Sequence, residues 1–229
     1  MLESLTISRQ AIERTIRLVT TARLRDSVLN DLVDESELDA LSEIEGATSN
    51  RRMAQARGAG DVPSNQLVHG VPHAHFVNAA FAYAKPREPN RFNGAERGAW
   101  YAGFEIETSL AEVKFHLTEV LAAAGDFNAT VDYAEMFASF AGEFVDLRLH
   151  PAHPSLDPEK TVGYPVGNAL AEAARSRGLN GIIYPSVRNP GGTCLVALFP
   201  HAVQSVAQGS VYRMTWRGQP EPTVQRVKG

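Results

Sequence analysis

The order of strand-like and helix-like segments after residue 66 limits the fold most. Seven short runs rich in aromatic and β-branched residues have the composition of strands. They are residues 75–83, 99–105, 129–133, 143–148, 181–185, 194–200 and 210–216. Only residues 109–124 and 166–177 have the apolar spacing of clear amphipathic helices in this part of the chain. Because the strands do not alternate one-for-one with helices, the sequence predicts an α+β core of short mixed or antiparallel strands with flanking helices.

Both predicted helices have an apolar face and a glycine stop. Gly125 ends the first helix and Gly178 ends the second. The residues predicted to face inward are Leu110, Val113, Leu117, Val120, Leu121 and Ala124 in the first helix, and Leu170, Ala173 and Ala174 in the second.

Residues 1–62 differ in composition from the rest of the chain, because charged residues occur in blocks and aromatic residues are missing. Apolar residues such as Ile12, Ile16 and Val19 recur at helical spacing, and a further short helix is expected from Ser36 to Gly46. The sequence therefore predicts a helical N-terminal extension over 1–62, which packs on the core or forms a partner or oligomer surface. Turn-forming residues mark a linker at 57–65, so the main domain is predicted over 63–229.

Composition excludes several classes of protein. Hydrophobic residues make up 44% and charged residues 21% of the chain, as in ordinary soluble globular proteins. No apolar run approaches the roughly 20 residues that span a bilayer, and the N-terminus lacks the pattern of a secretory signal. We therefore expect a cytoplasmic protein. The net charge of −4 provides no general attraction to nucleic acid, and Cys194, the only cysteine, excludes an intramolecular disulfide.

The usual dinucleotide-binding fingerprint is absent. Gly58 and Gly60 begin a G-x-G, but Pro63 occupies the third glycine position and no strand precedes it. A protein with this sequence that handles NAD+ therefore does so outside the Rossmann scheme.

Two other kinds of site have weak sequence signals. His69, His73 and His75 lie close enough to supply metal ligands, although no H-E-x-x-H helix is present. A metal-dependent hydrolase is thus an alternative hypothesis. A nucleophile pair of Cys194 with a distant histidine is disfavoured by the apolar neighbours of the cysteine.

The most informative polar residues lie in 90–116 and 184–192. Arg91 is predicted in a loop, Tyr101 in a strand and Glu112 in the first turn of a helix. Ser186 and Arg188 follow a predicted strand and precede a glycine turn.

This arrangement resembles the RES domain, a family named for its Arg, Glu and Ser and found as toxins of bacterial toxin–antitoxin pairs. Arg91 lies in N-R-F-N where the family usually has G-R-W-N, Tyr101 in an A-x-Y-A strand, Glu112 in A-E-V and Ser186 in Y-P-S. The resemblance covers roughly residues 66–208. It implies an ADP-ribosyltransferase-like fold, an enzyme that degrades NAD+ or transfers its ADP-ribose to a protein, and a cognate antitoxin of the Xre-like type.

Two departures from the family pattern concern substrate binding. Phe92 replaces the usual tryptophan with another aromatic ring. Many relatives also carry an arginine on the first strand, and none lies between Arg57 and Arg87. Arg188 is the candidate that would compensate in binding the pyrophosphate.

The chemistry of the reaction assigns a role to each residue. Loss of nicotinamide from its ribose develops oxocarbenium character, which a carboxylate such as Glu112 stabilises. Arg91 can donate two hydrogen bonds to phosphate oxygens. Tyr101 and Ser186 are expected to position nicotinamide or ribose, with Asn93 as an additional donor. NAD+ is then the substrate, and no metal is expected.

Each assignment has a structural alternative. Ser109-x-x-Glu112 is also a capping-box pattern, so Glu112 would close the helix N-terminus instead of meeting a substrate. Arg91 would otherwise form a surface ion pair, Tyr101 a core contact and Ser186 a turn.

The predicted function is an NAD+-consuming toxin, with water, phosphate or a protein side chain as acceptor. The alternative is a non-catalytic binding or regulatory module that contacts a partner through residues 1–62.

Overall fold

The computed structural model describes residues 2–21, 62–82 and 89–227. Within these ranges, one mixed sheet of seven strands packs against three complete α-helices, which confirms the α+β class. The strands are β1 Ile7–Thr20, β2 Trp100–Gly103, β3 Asn128–Asp146, β4 Gly181–Pro185, β5 Thr193–Ala197, β6 Gln204–Arg217 and β7 Thr223–Val227. The helices are α1 Ala74–Ala82, α2 Ile106–Ala124 and α3 Lys160–Ser176.

The sheet is organised around its longest strand, β3. The strand order is β1-β2-β5-β4-β3-β6-β7, and β1 also pairs with β3, so the first five strands of this order form a closed circuit. Among the seven described strands, only β3 and β4 pair in parallel. The prediction of short strands is wrong for β3 and β6, which have 19 and 14 residues. The predicted runs 129–133 and 143–148 both lie on β3, where Gly142, with a φ of 140°, continues the strand.

The helix predicted around Ile12, Ile16 and Val19 is wrong, because these residues lie on β1. This strand pairs along its length with β3, from Ile7 opposite Val145 to Thr20 opposite Tyr133. A spacing of four residues fits both a helix face and every second position of a strand, so periodicity alone does not separate them. The pairing with β3 decides the conformation. Residues 22–61, including the helix predicted from Ser36 to Gly46, lie outside the described residues.

The strand predicted over 75–83 is also wrong, because α1 occupies this segment. Val77 and Phe81, four residues apart, are 1% and 0% exposed and pack into the core of the barrel. A short apolar run does not distinguish a buried strand from a buried helix, and here the alanine content favours the helix.

The two helices that flank the candidate site are confirmed. α2 ends at Gly125, whose left-handed conformation forms the C-cap, and its apolar face packs on β3 and β6, although Val120 is 55% exposed. α3 begins six residues before its predicted start and includes Pro165 in its second turn. Pro165 lacks the N–H that would bond to the Thr161 carbonyl, so α3 lacks one backbone hydrogen bond there.

Three apolar clusters form the core. One fills the barrel and contains Trp100, Phe140 and Phe144; the second lies against α3, and the third under α2. No helix of the described ranges is long and apolar enough to cross a bilayer.

Candidate active site

Glu112 and Ser186, which are distant in the sequence, meet in the fold. The Ser186 hydroxyl donates a hydrogen bond to Glu112 Oε1 at 2.8 Å. The same hydroxyl oxygen accepts hydrogen bonds from the backbone N–H groups of Arg188 and Asn189, at 3.2 and 3.0 Å. These two donors orient the hydroxyl so that its own proton points to the carboxylate. Ser186 is therefore both a turn residue and a partner of Glu112.

The capping-box alternative for Glu112 is excluded by the position of Ser109. Ser109 donates its hydroxyl proton to the carbonyl of Ile16 at 2.7 Å and accepts from the Gly103 N–H at 3.2 Å, so it links α2 to β1 and β2. α2 begins at Ile106, which places Glu112 in the second turn and not in the first as predicted. The carboxylate therefore leaves the helix to meet another segment.

A second donor contacts the same carboxylate oxygen. The Cys194 thiol on β5 lies 3.7 Å from Glu112 Oε1. Burial and the nearby Glu112 carboxylate raise the pKa of this thiol above its usual value, so it stays protonated and acts as a donor. Within the described part of the chain, Glu112 Oε2 has no hydrogen-bond partner. One oxygen is thus held in place while the other is available to a ligand.

Arg91 lies in the loop before β2 and is 8% exposed. Its Nη1 donates to the carbonyl oxygens of Ser155 and Asp157 at 2.5 and 2.9 Å, and its guanidinium lies 5.3 Å from the centroid of the Tyr164 ring. Nε and Nη2 have no hydrogen-bond partner in the described residues, so two donors remain for a ligand. Arg91 forms no ion pair with Glu112.

Tyr101 and Asn93 use their polar groups within the protein. The Tyr101 hydroxyl donates to Asn93 Oδ1 and accepts from the Phe92 N–H, both at 2.9 Å. Asn93 is 1% exposed and its amide nitrogen donates to the carbonyl of Gly94. Burial raises the pKa of the Tyr101 hydroxyl well above its usual range. This geometry makes both residues supports of the loop that carries Arg91.

Two glycines of α3 allow this loop to approach the helix. A Cβ on Gly167 would lie 2.0 Å from the Arg91 carbonyl oxygen, and a Cβ on Gly163 would lie 2.8 Å from Arg91 Nη1. Any other residue at these positions would displace the loop or the guanidinium. Asn168 completes the contact by donating to the carbonyl of Asn90 at 2.7 Å.

Tyr184 links the Glu112 pair with the Arg91 loop. Its ring packs edge-on against Phe92, with 4.8 Å between centroids. Burial raises its pKa well above its usual range, the Glu112 carboxylate raises it further, and Arg91 lowers it. The two groups of residues are therefore neighbours across one buried tyrosine.

A family model described as RES domain matches residues 67–217, well over half of the chain. The chain belongs to the RES domain family. This family is known in toxin–antitoxin systems and is associated with NAD-utilising enzymes and with antitoxin partners. The chain is also similar to "Uncharacterized protein y4oC" of Sinorhizobium fredii (strain NBRC 101917 / NGR234), with 25% identity over 193 residues that cover 84% of this chain and 78% of that protein.

β1, which precedes the residues 67–217 matched by the family model, carries arginines. Arg17 on β1 donates to the carbonyl of Tyr101 at 3.4 Å and lies 4.9 Å from the centroid of the Trp100 ring. Arg188, the predicted substitute, stacks on Phe115 with 3.5 Å between its guanidinium carbon and the ring centroid.

The sequence missed several residues beside the Glu112 pair. Phe115 and His116 lie one turn after Glu112 on α2, a position that the helical spacing could have indicated. Lys160 and Tyr164 lie on the first turns of α3 and approach the Phe115 and Arg91 side chains. No sequence pattern links α3 to α2, so only the fold reveals this part of the RES domain.

The histidine hypothesis has no geometric support in the described residues, which contain no group of three His, Cys, Asp or Glu side chains able to hold a metal ion. His73 and His75 lie at the start of α1, where both rings pack near Phe76.

Proposed function

We propose that this RES domain cleaves the bond between nicotinamide and ribose in NAD+, with Glu112 as the carboxylate that stabilises the ribosyl cation. The observation that carries the proposal is the contact between Ser186 and Glu112, because it fixes one carboxylate oxygen and leaves the other available. A fixed negative charge stabilises an oxocarbenium-like transition state without reorganising as the reaction proceeds.

Arg91 supports the same function through its two remaining donors. A guanidinium can form paired, charge-assisted hydrogen bonds to phosphate oxygens, each contributing roughly 1.5–3 kcal/mol. The Ser155 and Asp157 carbonyls orient the guanidinium before substrate arrives. We infer that Arg91 binds the pyrophosphate, while Ser186 positions both the carboxylate and the ribose. Tyr101 and Asn93 act by supporting the Arg91 loop.

The acceptor for the ADP-ribosyl group is water, phosphate or a protein side chain. In each case nicotinamide leaves with the bonding electron pair and a new bond forms from the anomeric carbon to the acceptor. The acceptor loses a proton in the process. The product distinguishes the three routes as ADP-ribose, ADP-ribose phosphate or a modified protein. A cognate antitoxin that covers this site would neutralise the toxin.

Nicotinamide release from NAD+ by the purified protein tests the proposal. Glu112→Gln keeps the shape and hydrogen-bonding capacity of the side chain but removes its charge, so we expect a loss of about 100-fold or more in kcat. Glu107→Gln is the matched control, because Glu107 is an exposed carboxylate on the first turn of the same helix. Both variants should unfold at the temperature of the wild type, measured by circular dichroism.

Two outcomes would overturn the proposed reaction. Wild-type protein that releases no nicotinamide would favour the non-catalytic module. Activity of Glu112→Gln equal to that of the Glu107→Gln control would show that the carboxylate has no part in the reaction. EDTA should leave the rate of nicotinamide release unchanged. Loss of activity in EDTA would favour the metal-dependent alternative.

A further inference from the structure

We propose that a pocket between α2 and α3 binds the adenosine monophosphate half of NAD+, with Lys160 as a phosphate ligand and with His116 and Tyr164 as walls for the adenine. This inference rests on the proposed function, since it assigns a second part of the same substrate. It gives binding roles to three residues outside the Arg91, Glu112 and Ser186 set.

The pocket has the size and lining of a nucleotide site. Its volume is about 420 Å³, within the range of roughly 300–1,000 Å³ typical of small-molecule sites. Its lining includes His116, Lys160, Tyr164, Pro165 and Asn168. Aromatic and proline surfaces suit a flat heteroaromatic ring, and one cation and one amide supply the polar contacts.

Tyr164 presents an available polar group in this pocket. Its side chain is nearly buried, with 8% exposure, yet its hydroxyl has no hydrogen-bond partner in the described ranges. Burial raises the pKa of this hydroxyl, so it remains a neutral donor and acceptor. A ring nitrogen or ribose hydroxyl of a bound nucleotide would satisfy it.

The two cations beside the Tyr164 ring favour the binding of a phosphate near this pocket. Lys160 pairs with Glu119 and lies 6.0 Å from the Tyr164 ring centroid, while Arg91 lies 5.3 Å from the same centroid. Two cations thus lie beside one aromatic ring, and of these two only Lys160 has a carboxylate partner among the described residues. A phosphate between them would receive charge-assisted hydrogen bonds from both.

His116 is suited to contact a base because it is uncharged at neutral pH. Burial in the pocket wall and the neighbouring Lys160 ammonium lower its pKa to about 4. Nearly half of the side chain, 48%, is exposed, which leaves the imidazole accessible from the pocket. A neutral imidazole can stack on a purine and does not compete with Lys160 for the phosphate.

The pocket shares α2 and the Tyr164 ring with the residues of the proposed reaction centre. His116 follows Glu112 by four residues on α2, so the two side chains share a face and lie roughly 6 Å apart along the helix. The Arg91 guanidinium lies over the ring of Tyr164. Neither Glu112 nor Arg91 lines the pocket itself. The pyrophosphate beside Arg91 would therefore connect a nicotinamide riboside at Glu112 with an adenosine in the pocket.

The first experiment measures AMP binding directly by calorimetry, without requiring cleavage. We expect Lys160→Met to weaken AMP binding roughly tenfold or more, as the loss of a charge-assisted contact implies, and His116→Leu to weaken it to a smaller extent. Lys114→Met is the matched control, since Lys114 and Lys160 are both 37% exposed and each pairs with a glutamate. The control should bind AMP like the wild type.

The second experiment compares NAD+ with nicotinamide mononucleotide, which contains the same scissile bond but lacks the adenosine monophosphate half. In Lys160→Met, KM for NAD+ should rise with little change in kcat, and cleavage of the mononucleotide should match that of the wild type. A general structural defect would instead reduce turnover of both substrates, and that result would overturn the proposal.

The outcomes separate this inference from the proposed reaction. Loss of AMP binding in Lys160→Met supports the pocket even if the wild type releases no nicotinamide, which would overturn only the reaction. Nicotinamide release with unchanged AMP binding in both variants overturns the pocket alone. An unchanged KM for NAD+ in a variant that no longer binds AMP would show that the pocket binds free nucleotides and not NAD+. Inorganic phosphate that binds as tightly as AMP would exclude contacts with the adenosine. Either result would overturn the proposal.

Discussion

Gly167→Ala should impair the enzyme by displacing the loop that carries Arg91. The added Cβ would lie 2.0 Å from the Arg91 carbonyl oxygen, whereas ordinary contacts begin at 3.4 Å. The loop must therefore move by about 3.4 − 2.0 = 1.4 Å. Overpacking of this kind costs about 1–3 kcal/mol, and the better helix propensity of alanine offsets about 0.5–1 kcal/mol. The net destabilisation is then about 0–2.5 kcal/mol, or a Tm lower by up to roughly 10 °C for a chain of this size.

The effect on catalysis should exceed the effect on stability. A displacement of about 1 Å at a substrate-binding group can reduce the rate roughly 100-fold, and loss of an Arg91 contact to phosphate would cost about 1.5–3 kcal/mol. We therefore expect kcat/KM for NAD+ to fall about 10-fold to 150-fold. The assay is nicotinamide release under conditions in which the variant is fully folded, checked by thermal unfolding.

Gly94→Ala is the matched control, because a Cβ on Gly94 meets only Asn168 Oδ1 at an ordinary 3.5 Å. A double-mutant cycle with Arg91→Lys tests the route of the effect. If Gly167 acts through Arg91, the double variant should lose little more activity than Arg91→Lys alone. Wild-type kcat/KM in Gly167→Ala, or fully additive losses in the double variant, would refute this explanation.

Three further predictions concern individual side chains. Ser186→Ala removes the 2.8 Å hydrogen bond to Glu112 and should lower kcat about tenfold or more; unchanged nicotinamide release would contradict this. Burial raises the pKa of Cys194, so native protein at pH 8 should resist alkylation by iodoacetamide until it is unfolded; rapid labelling detected by mass spectrometry would contradict burial. Hydrogen bonds from Arg148 hold the pKa of Asp146 below its usual value of 3.8. The stabilisation by these hydrogen bonds is present above pH 3.8 and is lost as the pH falls through the lowered pKa of Asp146. Asp146→Asn should therefore lower the free energy of unfolding, measured in urea, more at pH 7 than at about pH 2. Equal losses at both pH values would contradict this pH dependence.

The sequence was sufficient to predict α2 and α3 and the buried strands β4 and β5. Each helix has a sustained apolar period and a glycine stop, and each strand is an unbroken apolar run bounded by turn residues. These signals depend only on neighbours along the chain. Glu112 and Ser186 could be identified as candidate site residues from the sequence, because each lies in a short local motif of the RES domain.

The sequence did not predict β1 or α1, because their local patterns fit two conformations. The four-residue spacing from Ile12 to Ile16 is compatible with helix or strand, and pairing with β3 selects the strand. The apolar run around Phe81 is equally ambiguous, and packing against the barrel core selects the helix. In both cases contacts with residues far along the chain outweigh local preference.

The amino-acid sequence by itself determined which residue types are available for chemistry: a carboxylate on a helix, an arginine in a loop and a serine in a turn. Only the tertiary structure decided that Ser186 meets Glu112, that Gly167 admits the backbone of Arg91, and that Lys160 and His116 line one pocket. The physical reason is that local periodicity is a property of consecutive residues. Contacts between α2, α3 and the turn after β4 arise only when the whole chain packs.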